Sequence, residues 1–233
     1  MTSVLPMLRA SVHLPMLTVA GQWGMSYTDT SGGGVSDSTT VLSNPQLMGY
    51  WNLDLKILEL SIGGGVVLPT VGAPSNTDAI ALLRGATARA MRDIWLWSAQ
   101  TMSIILPSAR ADISLIPSLL YLSGDLEVAA MVPTADTDAR DVEFVLQYGA
   151  ALGVQILPML RAGLRLQAVA FLSDYQVLGD SFYSAIEPFV RVNLGPLYAT
   201  AHFLMNLDAY PSNVGDSNMW SARLSLGGGI PSL

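Results

Sequence analysis

From Asp141 to Ile156 the chain alternates without a break. Val142, Phe144, Leu146, Tyr148, Ala150, Leu152, Val154 and Ile156 are all apolar. The intervening positions, Asp141, Glu143, Val145, Gln147, Gly149, Ala151, Gly153 and Gln155, hold every polar residue and both glycines. A period of two predicts a β-strand with one apolar face and one polar or small face. This matters because "FVLQYGAALGVQILPML" is also the best candidate for a membrane-crossing helix, which needs about 20 consecutive apolar residues. The alternation decides for strand.

The same pattern recurs. In 160–172 the even face is apolar, while the odd face carries Arg161, Gly163, Arg165 and Gln167. In 197–208 the odd face is apolar and the even face holds Tyr198, Thr200, His202, Asn206 and Asp208. In 120–132 the polar face includes Tyr121, Ser123, Asp125 and Glu127. Arg110, Asp112 and Ser114 alternate with Ala109, Ala111 and Ile113, and Arg191, Asn193, Arg223 and Ser225 continue the series. The predicted strands are 8–27, 46–53, 56–69, 101–115, 119–132, 142–156, 160–173, 182–194, 197–208 and 219–230, about ten in all. Many exceed the roughly 5–6 residues usual in soluble sheets. They match the roughly 9–11 residues of a tilted strand that crosses a bilayer.

The links between them alternate too. Long polar segments ("TDTSGGGVSDSTTVLSNP", Val71 to about Thr101, "PTADTDARD", "SDYQVLGDS", "DAYPSNVGDSN") take turns with tight ones near 52–56, 117–118, 157–159 and 195–196. An up-and-down antiparallel barrel would gather all the long links at one rim and all the tight ones at the other.

Alternation alone does not say which face is outside, because a soluble barrel with an apolar interior uses the same pattern. Composition decides. Hydrophobic residues make up 51% of the 233, charged residues only 12%, and mean hydropathy is +0.43. Lys56 is the single lysine. Such a chain lacks the residues that normally cover a water-exposed surface. A net charge of −7 excludes a nucleic-acid surface. The absence of cysteine removes disulfides and thiol chemistry.

On this pattern the whole chain, read as a single domain, resembles the small bacterial outer-membrane β-barrels. The resemblance implies a closed barrel in the outer membrane, both termini periplasmic, and long loops outside. It also implies contact with the lipid bilayer, lipopolysaccharide and the barrel-assembly machinery, and work as a passive channel for small solutes. Two features depart from the class. The chain ends "GGGIPSL" rather than in an aromatic residue, and "MTSVLPMLRASVHLP" has Pro6 and Arg9 where a leader's apolar core would lie.

If the apolar face meets lipid, the polar face meets the lumen. The expected lumenal and constriction residues are Arg110, Asp112, Asp125, Glu127, Glu143, Arg161, Arg165, Glu187, Arg191, His202 and Arg223. Acids and arginines on neighbouring strands form either a salt-bridged plug or a narrow hydrated pore with a charged constriction. Trp23, Trp95, Trp97, Tyr210 and Trp220 are expected as interfacial anchors. Tyr27, Tyr175 and Phe182 join them at one rim, and Tyr121 and Tyr198 form a girdle at the other.

The long link holds "SNTDAIALLRGATARAMRDIWLW", which reads as a helix over about 76–94, capped by Asn76, Thr77 or Asp78. It could cap the mouth, fold into the lumen, or lie on the membrane with its arginines near lipopolysaccharide phosphates. The cap is the simplest reading, and an envelope protein could dock there. "TADTDARD" has clustered carboxylates but lacks the glycine and closing glutamate of a calcium loop, so it reads as a solvated acidic rim. No metal, cofactor or catalytic site is expected. His202 is mid-strand without an adjacent serine, His13 lies near the end of the first strand, and "SGGG" lacks a phosphate loop's Lys-Ser/Thr. The glycine triples 63–65 and 227–229 suit bends or close strand packing.

Finally, "LPMLRA" occurs at 5–10 and again at 157–162, with "LPML" at 14–17. The second copy reads as a tight turn followed by a strand. By analogy the first marks the same rim, placing Arg9 and Arg161 at one height.

Overall fold

The computed structural model describes residues 2–14, 16–32, 35–135, 142–173, 182–207 and 220–228. They form thirteen strands: β1 (Thr2–Val4), β2 (Met7–His13), β3 (Leu17–Gly32), β4 (Val35–Leu42), β5 (Gln46–Asp54), β6 (Leu58–Val67), β7 (Thr101–Ile116), β8 (Leu120–Pro133), β9 (Glu143–Leu157), β10 (Leu160–Phe171), β11 (Phe182–Leu194), β12 (Leu197–Asn206) and β13 (Trp220–Gly228). One helix, α1 (Asn76–Thr87), and a short 3-10 turn, Ile94–Leu96, lie between β6 and β7. Among the described residues no helix is long and apolar enough to cross a membrane.

Every strand pairing is antiparallel, and each strand from β5 to β13 pairs with the next. The tight links 14–16, 55–57, 117–119, 158–159 and 195–196 fall at one end, and the long ones at the other. Three of the tight turns hold a residue in the left-handed region: Lys56 at φ 70°, Ser118 at 60° and Gly195 at 65°.

The N-terminal third differs from the expectation of about ten strands. The segment 8–27 is not one strand. It folds back at Leu14–Leu17, where Leu14 and Leu17 exchange backbone hydrogen bonds of 2.7 and 3.3 Å. The tight turn is therefore made by the short "LPML" copy, and the first "LPMLRA" instead spans the break between β1 and β2. Arg9 sits opposite Gln22, well up the sheet, while Arg161 is one residue from its turn. The two arginines are not at one height. Thr2–Val4 pairs with Tyr27–Asp29, so β1 lies at the long-link end, and β13 reaches Gly228 at the tight-turn end. The expectation had put both termini at the tight-turn rim.

The segment after Tyr27 was expected to be loop. It is a hairpin, Met25–Gly32 against Val35–Leu42, prolonging the sheet. Its run of Ser and Thr shows no apolar alternation in sequence, but threonine favours extended backbone, and Ser26 and Thr28 are buried.

The sheet curls on itself. The segment after α1 is touched by Asn44, between β4 and β5, and by Ser221 on β13, near the two ends of the strand order. Among the described residues no backbone pairing joins β13 to β1 or β2, so the barrel keeps an open seam rather than the closed ring expected. The convex face is apolar and exposed: Leu122, Leu126, Phe144, Tyr148, Leu152, Leu164, Leu166, Leu224 and Leu226 all point outward. A soluble monomer rarely leaves so extended an apolar surface uncovered.

Candidate functional site

The concave face holds the polar residues, and the link between β6 and β7 folds into it. Helix α1 is shorter than expected. Its cap is Ser75, which forms a capping box with Asp78. Thr39 Oγ1 also donates to Asp78 Oδ1 at 2.7 Å, leaning the helix on β4. These hydrogen bonds to the ionised form lower the Asp78 pKa. The helix stops at Thr87 because Ala90, Met91 and Asp93 take left-handed backbone, with φ of 52°, 62° and 55°. That coil is costly for residues with a Cβ, and it turns Arg92 and Asp93 into the wall.

Trp95 and Trp97 were expected at the membrane interface. They are 0% and 3% exposed, packed with Met91, Ile94 and Leu96 against Val67, Ile105, Ala129, Val145, Val169 and Tyr183 of the wall. The capping reading is replaced by the lumenal one. Sequence could not decide this, because "DIWLW" suits a membrane surface and a buried core equally well. Gly85 of α1 lies flat against the Trp97 ring, where a methyl group would collide.

Asn44 fastens the insert. Its side-chain Nδ2 donates to Trp95 O at 3.1 Å and Ser98 O at 2.7 Å. Its Oδ1 accepts from the Thr70 and Val71 N–H groups, both at 2.9 Å. One buried amide therefore clamps the start of the insert to its end. Nothing in "LSNP" distinguishes this asparagine from a turn residue.

Two charge clusters join insert and wall, and a third lies within the wall. In the first, the Asp93 N–H donates to Gln147 Oε1 at 2.9 Å, and Gln147 Nε2 returns a bond to Asp93 Oδ1 at 3.0 Å. Gln147 also binds Glu127, which accepts from Ser108 Oγ at 2.8 Å. Arg89 pairs with Asp93. Burial opposes the charge on Asp93, but Arg89, Arg92 and the Gln147 amide outweigh it and lower its pKa to about 2. Burial likewise opposes the charge on Arg92, but Asp93, Asp125 and Glu127 overcome it and raise its pKa. In the second cluster, Asp125 sits between Arg92 of the insert and Arg165 of β10. In the third, Glu187 Oε1 accepts from Arg223 Nη2 at 2.6 Å and meets His202 Nδ1 at 2.7 Å.

Arg165 reaches Asp125 across an intervening strand, β9. It crosses at Gly149, where a Cβ would lie only 3.0 Å from the Arg165 guanidinium. Four residues lower, Arg161 crosses the same strand beside Gly153 and stacks on Tyr121, with 4.0 Å from guanidinium to ring centroid. The two glycines noted in "YGAALG" are thus passages for arginines.

Below these clusters the lumen opens. A cavity of about 400 Å³ near the tight-turn end is lined by Lys56, Glu59, Arg110, Asp112, Tyr121 and Arg161, among others. Arg110 Nε donates to Asp112 Oδ2 at 3.0 Å. Arg191 stacks on Tyr198 at 3.9 Å. Tyr121 and Tyr198 are therefore lumenal, not members of a girdle. Glu143 opens β9 opposite Met131, at the long-link end.

Trp23 and Trp220 are exposed at that same end, 43% and 67%. Tyr175, Tyr210 and residues 136–141, the acidic part of "TADTDARD", lie outside the described residues. His13 bonds Thr18 Oγ1 at 2.9 Å and Ser11 Oγ at 3.0 Å.

No family model matches the chain, and no curated protein does. Among solved structures, an outer membrane channel from Pseudomonas putida F1 matches with a TM-score of 0.61, covering 96% of this chain and 82% of that one at 13% identity. The two share a fold, that of an outer-membrane β-barrel.

Proposed function

We propose that this chain is an integral outer-membrane β-barrel that works as a channel for small solutes through a narrow, charged lumen. The observation that carries the reading is the division of the wall. Large apolar side chains face outward, and arginines and carboxylates face an interior that still holds a cavity of about 400 Å³. Lipid satisfies the first surface and water or solute the second. The shared fold with an outer membrane channel supports this. Lipid and lipopolysaccharide would surround the wall, the assembly machinery would insert it, and the long links would face outside.

In this reading the insert keeps the channel shut at rest. Trp95 and the clusters around Asp93 and Asp125 fill the upper lumen, and passage requires them to shift. A second reading has a specific observation behind it. Asn44 and the Asp93–Gln147 pair hold the insert so fully that the barrel could be permanently plugged, a structural or partner-binding element of the envelope. Planar-bilayer recording separates the two. Discrete openings by the pure protein support a channel, and a baseline that stays flat in both the native chain and insert variants leaves the plugged barrel. Neither reading gives His13 or His202 a catalytic step.

A further inference from the structure

The cavity at the tight-turn end has an uneven charge. Glu59 and Asp112 are its carboxylates, and Lys56, Arg110 and Arg161 its cations. Glu59 and Asp112 are cross-strand partners on β6 and β7. Arg110, on the same strand as Asp112, donates to it at 3.0 Å. Lys56 lies in the link just before β6. Both acids and two of the cations therefore share one sector of the wall.

Arg161 stands apart from them on β10. No ion pair among the described residues includes it, and its Nε has no hydrogen-bond partner. It passes over β9 at Gly153 and lies on the Tyr121 ring of β8. Stacking fixes the guanidinium against the wall without neutralising it. Two further charges flank the wall without lining it. Asp54 is opposite Glu59 and accepts the Lys56 N–H at 2.9 Å, and Arg191 is opposite Arg161 and leans away onto Tyr198. They are of opposite sign, so the excess of one positive charge remains. Higher in the lumen, Arg165 and Arg223 meet Asp125 and Glu187.

We infer that this cavity is an anion-selecting vestibule, in which Arg161 sets the sign of the field and concentrates small anionic solutes. A cleft with low-dielectric walls focuses the field of an uncompensated charge and raises the local concentration of the opposite ion. A guanidinium stays ionised at every physiological pH, so Arg161 supplies that charge throughout. Arginines and lysines lining a pore select anions by the same means. This rests on the reading of the concave face as a lumen, and it names the class of solute.

The chain has no cysteine, so one introduced thiol reports on the cavity alone. Ser114 lines the cavity and is the cross-strand partner of Tyr121. The intact Ser114→Cys protein, in detergent at low salt, is treated with a sulfonate-bearing or a trimethylammonium-bearing methanethiosulfonate. The ratio of the two rates is divided by the same ratio for free 2-mercaptoethanol. The result should favour the anionic reagent roughly tenfold and shrink as salt is added. In the same background Arg161→Gln should bring the ratio near one, Arg161→Glu should reverse it, and Arg161→Lys should keep it. Circular dichroism confirms that each variant keeps its β-structure, and if one fails to fold the others decide. A ratio at or below one without any change at Arg161, no reaction with either reagent, or a ratio unmoved by both Arg161→Gln and Arg161→Glu overturns the inference. The rates are read without conduction, so a barrel that passes no current but keeps this preference retains the vestibule and loses the channel.

Discussion

Asp93 and Gln147 exchange two hydrogen bonds, 2.9 and 3.0 Å, one from the backbone of the insert and one back to its carboxylate. The contact joins a residue of a long inter-strand link to the inner face of β9, fifty-four positions away in sequence. Around it the link stops being a loop and becomes the content of the barrel. The pair also has a titratable member, and this gives the first prediction.

The Asp93 pKa is held at about 2, below the ordinary 3.8. A depressed carboxylate contributes stability that is fully present above its unfolded pKa and is lost as pH falls through the folded one. The window is therefore about pH 4 down to about pH 2, and the contribution is on the order of 2 kcal/mol. Asp93→Asn should remove that part of the acid sensitivity, seen as a flatter dependence of the unfolding midpoint between those pH values. An unchanged acid profile in the variant would show that Asp93 is not held in this network.

Asp125 neutralises two arginines, one from the insert and one from the wall. Asp125→Ala leaves both without it in a poorly hydrated interior. The expected cost is about 3–5 kcal/mol, read as a lowered thermal midpoint in detergent. Gly149→Val should have part of the same effect by blocking the path of Arg165, although it removes no charge.

Trp95 and Trp97 lie inside, whereas Trp23, Trp51 and Trp220 point outward at 43, 56 and 67% exposure. In single-tryptophan variants reconstituted with brominated lipid, Trp51 should be strongly quenched and Trp95 and Trp97 barely touched. Strong quenching of Trp95 would return the insert to the membrane surface.

The alternation of apolar and polar positions made the wall legible, because a period of two is set by backbone geometry and needs no tertiary knowledge. The boundaries of β7 to β13 lie close to those read from sequence. What sequence did not show depends on contacts between distant segments. The β3–β4 hairpin lacks the apolar alternation in sequence that would reveal it. The first "LPMLRA" matches its second copy in residues but spans a strand break rather than a turn, since the fold-back is made by Leu14–Leu17. Of the expected lumenal residues, Asp125, Glu127, Arg165, Glu187, His202 and Arg223 were recognisable by face. Gln147 shared that polar face, but its partner Asp93, and Arg92 beside it, were not recognisable, nor was Asn44, because a polar residue on a link gives no sign of what it will meet.

Asn44 is the clamp of the insert. Asn44→Ala removes the side-chain bonds to Trp95, Ser98, Thr70 and Val71 and leaves buried carbonyl and N–H groups unpaired, each costing about 1–3 kcal/mol. The insert should then become accessible to limited proteolysis near Ala88–Asp93 while the barrel stays intact. A variant as resistant as the native chain would mean that other contacts suffice.

The central claim is that this is a membrane channel whose lumen is shut by the residues around Trp95. Trp95→Ala empties a buried site at a cost of about 3–5 kcal/mol and should loosen that closure. Single-channel recording in planar bilayers compares the two proteins directly. The native chain should show small, brief openings, and Trp95→Ala larger and longer ones under the same voltage and salt. A flat baseline from both would contradict the claim.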